Sequence, residues 1–211
     1  MLANIVIDFF NQGGPIMWPI LIVSIIAVGV VLERTVWWTM MRQRRDPALL
    51  ERVLTKVEEG NIDAASAIAR DSKDPVIRMI WHGLNHHHVS LQGALQVGAG
   101  IELERAGSML SVLDTLITLA PLLGLLGTVT GIMGAFHTLG NDELAAQKVG
   151  AGISEALIAT ACGLCVAIFS LVPYNYFNRR VSRLRFELES NATNLELMLE
   201  KIHKQQEGSL A

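Results

Sequence analysis

Two cysteines in 211 residues, Cys162 and Cys165, both inside one apolar run, exclude a disulfide framework and a zinc ribbon. A net charge of −3 leaves no basic excess for a nucleic-acid partner. No nucleophile–base pair, phosphate-binding glycine loop or metal-ligand set can be picked out, so no enzyme activity, cofactor or metal is expected. Internal repeats and low-complexity linkers are also missing. The first fifteen residues carry no Lys or Arg and no small-residue cleavage site, which does not read as a secretory signal.

Apolar surface is what the chain has in quantity. Hydrophobic residues make up 51% and charged residues 18%, with only 6% aromatics and a mean hydropathy of +0.38. That is too apolar for an ordinary soluble domain and too charged for a chain buried in a bilayer throughout. The pattern predicts an all-α integral membrane protein with three transmembrane helices, long cytoplasmic helical extensions and a small cytoplasmic helical domain.

Three runs reach the ~20 residues that a bilayer crossing needs. The first, 16–41, has Trp18 near one end and Trp37 and Trp38 near the other, as an interfacial aromatic belt would. Glu33 and Arg34 are helix neighbours that do not face each other, so each is expected to find another partner or to snorkel. Arg42, Arg44 and Arg45 follow, and no basic residue precedes, which predicts that the N-terminal segment 1–15 lies outside. Residues 42–106 then read as helical and polar. A helix over PALLERVLTKVEEG stops at Gly60-Asn61, Asp63 caps a second, and Asp74-Pro75 opens a third as cap and first position. About 60 residues is near the size at which a lone core is marginal. Glu102 and Glu104 are expected to face the cytoplasm or a vestibule.

The second span, 107–137, carries Gly124, Gly127, Gly131 and Gly134 at steps of three, four and three, which predicts one small-residue face for helix packing. Pro121 is expected to kink or loosen it. A short turn, 138–148, makes the third span, 149–173, its antiparallel neighbour. With the N-terminus and this turn outside, all but one of the 17 Lys and Arg residues stay inside. The third span has a matching small stripe in Ala156, Thr160, Gly163, Ala167 and Ser170. Beyond Pro173, Phe177, Val181, Leu184, Leu188, Asn191, Leu195, Met198 and Ile202 form a heptad seam in a C-terminal cytoplasmic helix, 174–211. Its polar position, Asn191, either fixes register or is merely solvated.

Glu155 lies inside the third span. An acid near the bilayer centre costs ~2.5–3.5 kcal/mol on insertion scales, so it usually faces protein or water and usually works. Proton handling is one reading; a protonated carboxyl bonded to a neighbouring helix is the other. Asp114, near the inner end of the second span, is either a proton exit or an interfacial snorkel. Cys162-x-x-Cys165 fits small-residue packing better than redox chemistry, which needs exposure and a positive setting. His82, His86, His87 and His88 include an i, i+4 pair, without a carboxylate or thiol to complete a metal site.

The segments LAPLLGLLGTVTGIMGAF and ISEALIATACGLCVAI resemble the paired spans of the ExbB/TolQ/MotA proton-channel family, and the three-span plan is similar to its ExbB/TolQ branch. The resemblance implies a bacterial inner-membrane homo-oligomer, pentameric in that family, whose second and third spans line a pore. It implies a single-span ExbD/TolR-like partner bringing a membrane Asp, and a TonB-like or TolA-like protein that the complex energises from the proton motive force. It assigns Glu155, Thr160 and Thr128 to the proton pathway and carries Pro121 over as the second-span proline. Thr128 lies about nine residues from the outer end of its span and Thr160 about ten, so at ~1.5 Å per residue they share a depth. At ~100° per residue, Glu155 and Thr160 are about 140° apart, and Glu155 shares its face with Ala159 and Cys162. Thr160 is therefore expected to face the pore, and the direction of Glu155 stays open. The rival from another class is a non-conducting structural membrane scaffold. A small-solute transporter would show inverted repeats or broken helices, and the sequence has neither.

Overall fold

The computed structural model describes residue 10, residues 12–137 and residues 145–210, and every regular element among them is an α-helix. Most of the expected outer segments, residues 1–9, 11 and 138–144, lie outside the described residues. The helices are α1 (Met17–Gln43), α2 (Pro47–Glu58), α3 (Ile62–Ala69), α4 (Pro75–Asn85), α5 (His87–Gly107), α6 (Leu110–His137) and α7 (Ala145–Leu210). Three helices are long and apolar enough to cross a membrane: α1, α6 and α7 from Val149 onward. The chain divides into two compact units.

The spanning unit comprises residues up to Arg34 and Met109–Phe177. Its core joins Val23 and Ala27 of α1 to Leu113, Leu116 and Ala120 of α6 and Ala167 of α7. A second cluster gathers Met17 and Ile20 around Ala159. Ile25, Leu122, Leu125, Phe169 and Val172 stay exposed, as side chains do when lipid is the solvent. Glu33 and Arg34 correct the expectation of separate partners. Arg34, only 3% exposed, folds its guanidinium back along α1 and donates from Nε and Nη2 to the Glu33 carboxylate, both at 2.5 Å. Helix neighbours do not face each other, but an arginine stem is long enough to close the gap, and two charges in an apolar run gain from the fork.

The polar unit comprises Thr35–Ser108 and the residues from Asn178 onward. Asp46 caps α2 by accepting from the Leu49 amide, with Pro47 in the first turn. Gly60, at φ +77°, ends that stretch where the sequence expects it. The cap of α3 is Asn61, not Asp63: Asn61 has the non-helical φ/ψ a cap needs and accepts from the Ala64 amide. Asp63 instead lies in the first turn, where the macrodipole favours an acid. Asp74 and Pro75 open α4 as the sequence indicates. α5 is interrupted at Ser90, whose extended backbone and hydroxyl cap the stretch that follows by accepting from Gly93 N–H at 3.1 Å.

Val53, Val57, Ala65, Ala69, Ile77 and Ile80 are fully buried, and so is Leu188 from the heptad seam. Phe177, Leu184 and Leu195 of that seam are buried too, while Asn191 spends its amide on the Glu187 carbonyl of its own helix at 2.8 Å. Asp74, 3% exposed, gathers three segments. One oxygen accepts from the Val76 amide at 2.9 Å and the other from the Asp46 amide at 3.0 Å. Arg45 stands 3.7 Å away and forks the Glu187 carboxylate at 2.5 and 2.7 Å. Glu102 corrects the solvent-facing expectation: it is 7% exposed and pairs with Arg78 at 3.3 Å and Arg105 at 3.0 Å.

Replacing Asp74 with Ala removes acceptors from two amides and a charge beside Arg45, which should cost about 2 kcal/mol. Asp63→Ala should cost about 0.5 kcal/mol, a dipole contribution alone. Thermal melts of the solubilised protein followed by circular dichroism check the order; equal shifts would refute the cap assignment.

Candidate functional site

In the spanning unit α6 and α7 meet almost backbone to backbone. A Cβ on Gly163 would stand 2.5 Å from the Ala120 carbonyl oxygen and 3.1 Å from Gly124 Cα. One on Gly124 would stand 3.0 Å from Thr160 Cα. Further along, Gly131 lies on Ala156 and the Gly152 carbonyl, and Gly152 lies on Ala135. Gly127 occupies a three-helix corner, against Ala159 of α7 and Ile16 just before α1. Without glycine at these points the helices would separate.

Gly134 departs from the expected face. Among the described residues, a Cβ there would meet no atom within 4 Å beyond its own stretch of helix, whereas Ala135 is buried against Gly152. At ~100° per residue Gly134 falls about 80° from Gly124 but Ala135 only about 20°, so the seam follows Ala135. Pro121, half-buried, lies within α6, which runs through it without a break. On α7 the small stripe keeps its phase: Ala156, Gly163, Ala167 and Ser170 are buried, and Thr160 is half-buried.

Thr160 Oγ1 crosses the seam and donates to the Gly124 carbonyl at 2.8 Å. That carbonyl belongs to the turn of α6 that carries Thr128, whose own hydroxyl donates to Leu125 O at 2.6 Å. Both hydroxyl protons are thus committed to carbonyls, and both oxygens keep lone pairs that accept from water or a hydronium. The two threonines come together through one turn of α6.

Glu155 is not brought to them. Its side chain lies against Gly14, in the turn that precedes α1. The residues that share its face, Ala159 and Cys162, pack on Met17 and Ile20 of α1. The angle of about 140° between Glu155 and Thr160 therefore separates two neighbours. One group addresses α1, the other α6. Gly14 was missed by the reading of motifs; the signal is the pair Gly13-Gly14 followed by Pro15 at a helix start.

The remaining candidates fall elsewhere. Asp114 is hydrogen-bonded to Tyr174 at the end of the spanning unit. Cys162 is half-buried and Cys165 exposed, both as free thiols. His86 Nδ1 lies 3.1 Å from the His82 carbonyl and the His82 ring packs on Trp81. The side chains of His87 and His88 lie outside the described residues.

The sequence profile described as the MotA/TolQ/ExbB proton channel family matches residues 71–190. An ExbB-like biopolymer transport protein of Synechocystis sp. is 32% identical over 204 residues, covering 93% of this chain and 80% of that protein. The biopolymer transport protein ExbB of Salmonella typhimurium is 28% identical over 200 residues, 84% of this chain and 82% of its own. The Tol-Pal system protein TolQ of Haemophilus influenzae is 40% identical over 92 residues, 43% of this chain and 40% of its own.

The seam geometry separates two otherwise equivalent substitutions. Gly163→Ala should destabilise the spanning unit by about 1–3 kcal/mol, because its methyl meets a carbonyl that cannot rotate away. Gly134→Ala should be neutral or stabilising by about 0.5–1 kcal/mol, the usual helix preference. Thermal inactivation of the detergent-solubilised protein distinguishes them.

Proposed function

Because this chain belongs to the MotA/TolQ/ExbB proton channel family, we propose that it is the channel-forming subunit of a proton-driven motor in the bacterial inner membrane. In this reading several copies, five by family precedent, surround a pore lined by α6 and α7. An ExbD/TolR-like partner with a single span supplies a further membrane aspartate. The complex energises an outer-membrane transport or envelope system through a TonB-like or TolA-like protein. The N-terminus is periplasmic and the C-terminus cytoplasmic.

One observation carries the reading: α7 holds one acid, Glu155, in its spanning part, and five residues further in a threonine that reaches the turn of Thr128. A carboxyl can bind and release a proton, and hydroxyl oxygens can accept from water along the next stretch. Proton transfer from Glu155 past Thr160 and Thr128 to the partner's aspartate would alternately neutralise and expose charge on the partner. Alternating charge in a low dielectric is a strong force for moving one helix against its neighbours. The Gly124–Thr160 contact holds the hydroxyl ring at a fixed depth while this happens.

Proton flux into vesicles, with and without the partner, tests this. Flux should need the partner and fall to background in Glu155→Gln, which still hydrogen-bonds but carries no proton. Thr160→Val should reduce it by about a hundredfold or more, the loss expected when a positioned proton-transfer group is removed. Normal flux in both variants removes these residues from the pathway. Intact oligomers without flux under any condition favour the scaffold.

A further inference from the structure

We infer that Gly14 is a positioning residue for Glu155, and that the turn Gly13–Gly14–Pro15 covers one side of its carboxyl. The inference deepens the reading above and rests on Glu155 handling protons. Two independent features of Gly14 point the same way. Its backbone lies at φ +70°, a region that costs an ordinary L-residue ~1–2 kcal/mol but which Asn adopts readily. Its missing side chain is where Glu155 lies: a Cβ would land on Oε1, 2.5 Å from the carboxyl carbon and 3.0 Å from Cγ. The first feature admits glycine or Asn, the second admits glycine alone, and only the second concerns the acid.

The turn is a fixed part of the spanning unit. Gly13 N–H donates to Phe10 O at 3.2 Å, Met17 N–H to Gly14 O at 3.1 Å and Trp18 N–H to Pro15 O at 3.3 Å. The Phe10 ring packs edge-on against Trp18 at 5.1 Å. Gly13 is pressed as closely: a Cβ would come within 2.6 Å of Met17 Cγ and 3.1 Å of Ile158 Cγ2. Ile16 reaches the Gly127 corner of α6. The start of α1 is thereby keyed to both other spans, and the Glu155 side chain is held between α7 and backbone that cannot retreat. A proton reaching this carboxyl arrives from the side the turn leaves open, or the turn shifts.

The test uses the full chain with its partner in vesicles and reads two quantities. One is proton flux. The other is the rate at which dicyclohexylcarbodiimide, a probe for protonated carboxyls in apolar surroundings, modifies residue 155, followed by peptide mass spectrometry. Gly14→Ala and Gly14→Asn should each change the modification rate by about fivefold or more, the size of a coupling between contacting residues. Both should lower flux. Shortening the acid withdraws it from the turn, so in the Glu155→Asp background the effect of Gly14→Ala on modification should shrink below about twofold. A wild-type-like Gly14→Asn beside a defective Gly14→Ala would mean that only the backbone angle matters, and would overturn the inference. So would unchanged modification in both. If the Gly14 variants fail to fold, recovery of folding by Glu155→Asp supports the contact, and no recovery overturns it. Should wild type conduct no protons, the modification rates still decide the position of Glu155, while the channel reading fails separately.

Discussion

Two helices in hydrocarbon gain nothing from hiding apolar side chains from each other, because lipid is as apolar as leucine. What remains is contact, and contact is closest where side chains are absent. The spanning unit is built on that constraint. α6 and α7 touch through Gly124, Gly131, Gly152 and Gly163, and a polar bond from Thr160 to the Gly124 carbonyl crosses this seam at one of these close approaches. α1 then docks on the pair through its own small and apolar positions, Val23 and Ala27 deep and Met17 and Ile20 near its start.

The polar unit answers a different solvent with different devices. Its helices begin on side-chain caps, Asp46, Asn61, Asp74 and Ser90, and its buried acids are met by arginines. Asp74 works at both levels, capping α4 while it holds the entry to α2 through the Asp46 amide. Arg45 stands beside this cap and reaches Glu187 on α7. An arrangement of this kind spreads the cost of burying one charge over several donors.

Much of this was legible because helical periodicity is a local property. The stripe Ala156, Thr160, Gly163, Ala167 and Ser170 turns inward as its spacing indicates, and so do Phe177, Leu184, Leu188 and Leu195. Asp74-Pro75 and Gly60 declare helix boundaries through their own chemistry. The failures have a common cause. Gly134 drifts off the seam because steps of three and four do not close a turn of 3.6. Arg34 and Glu33 meet because side-chain reach, and not helix angle, decides that pair. Glu102 is buried by arginines, one of them 24 positions earlier, which no window along α5 contains. The acid of the third span was visible, and the angle of about 140° correctly separated it from Thr160. What the chain could not reveal locally was that the space beside Glu155 is filled by Gly14, 141 positions away.

The seam has a consequence for how such a chain can change over time. A clash between side chains is repairable, since trimming the neighbour restores the fit. Gly127 is of that kind: its obstacles are the Ala159 methyl and the Ile16 side chain, both of which can be shortened. Gly163 and Gly124 are not, because the atoms before them are the Ala120 carbonyl and the Thr160 backbone, which every amino acid shares. Descendants of this sequence can exchange the lipid-facing leucines and valines almost at will, and can cross the Gly127 corner by paired steps. At Gly124 and Gly163 there is no intermediate and no compensating partner, so these positions change only if the two helices part company.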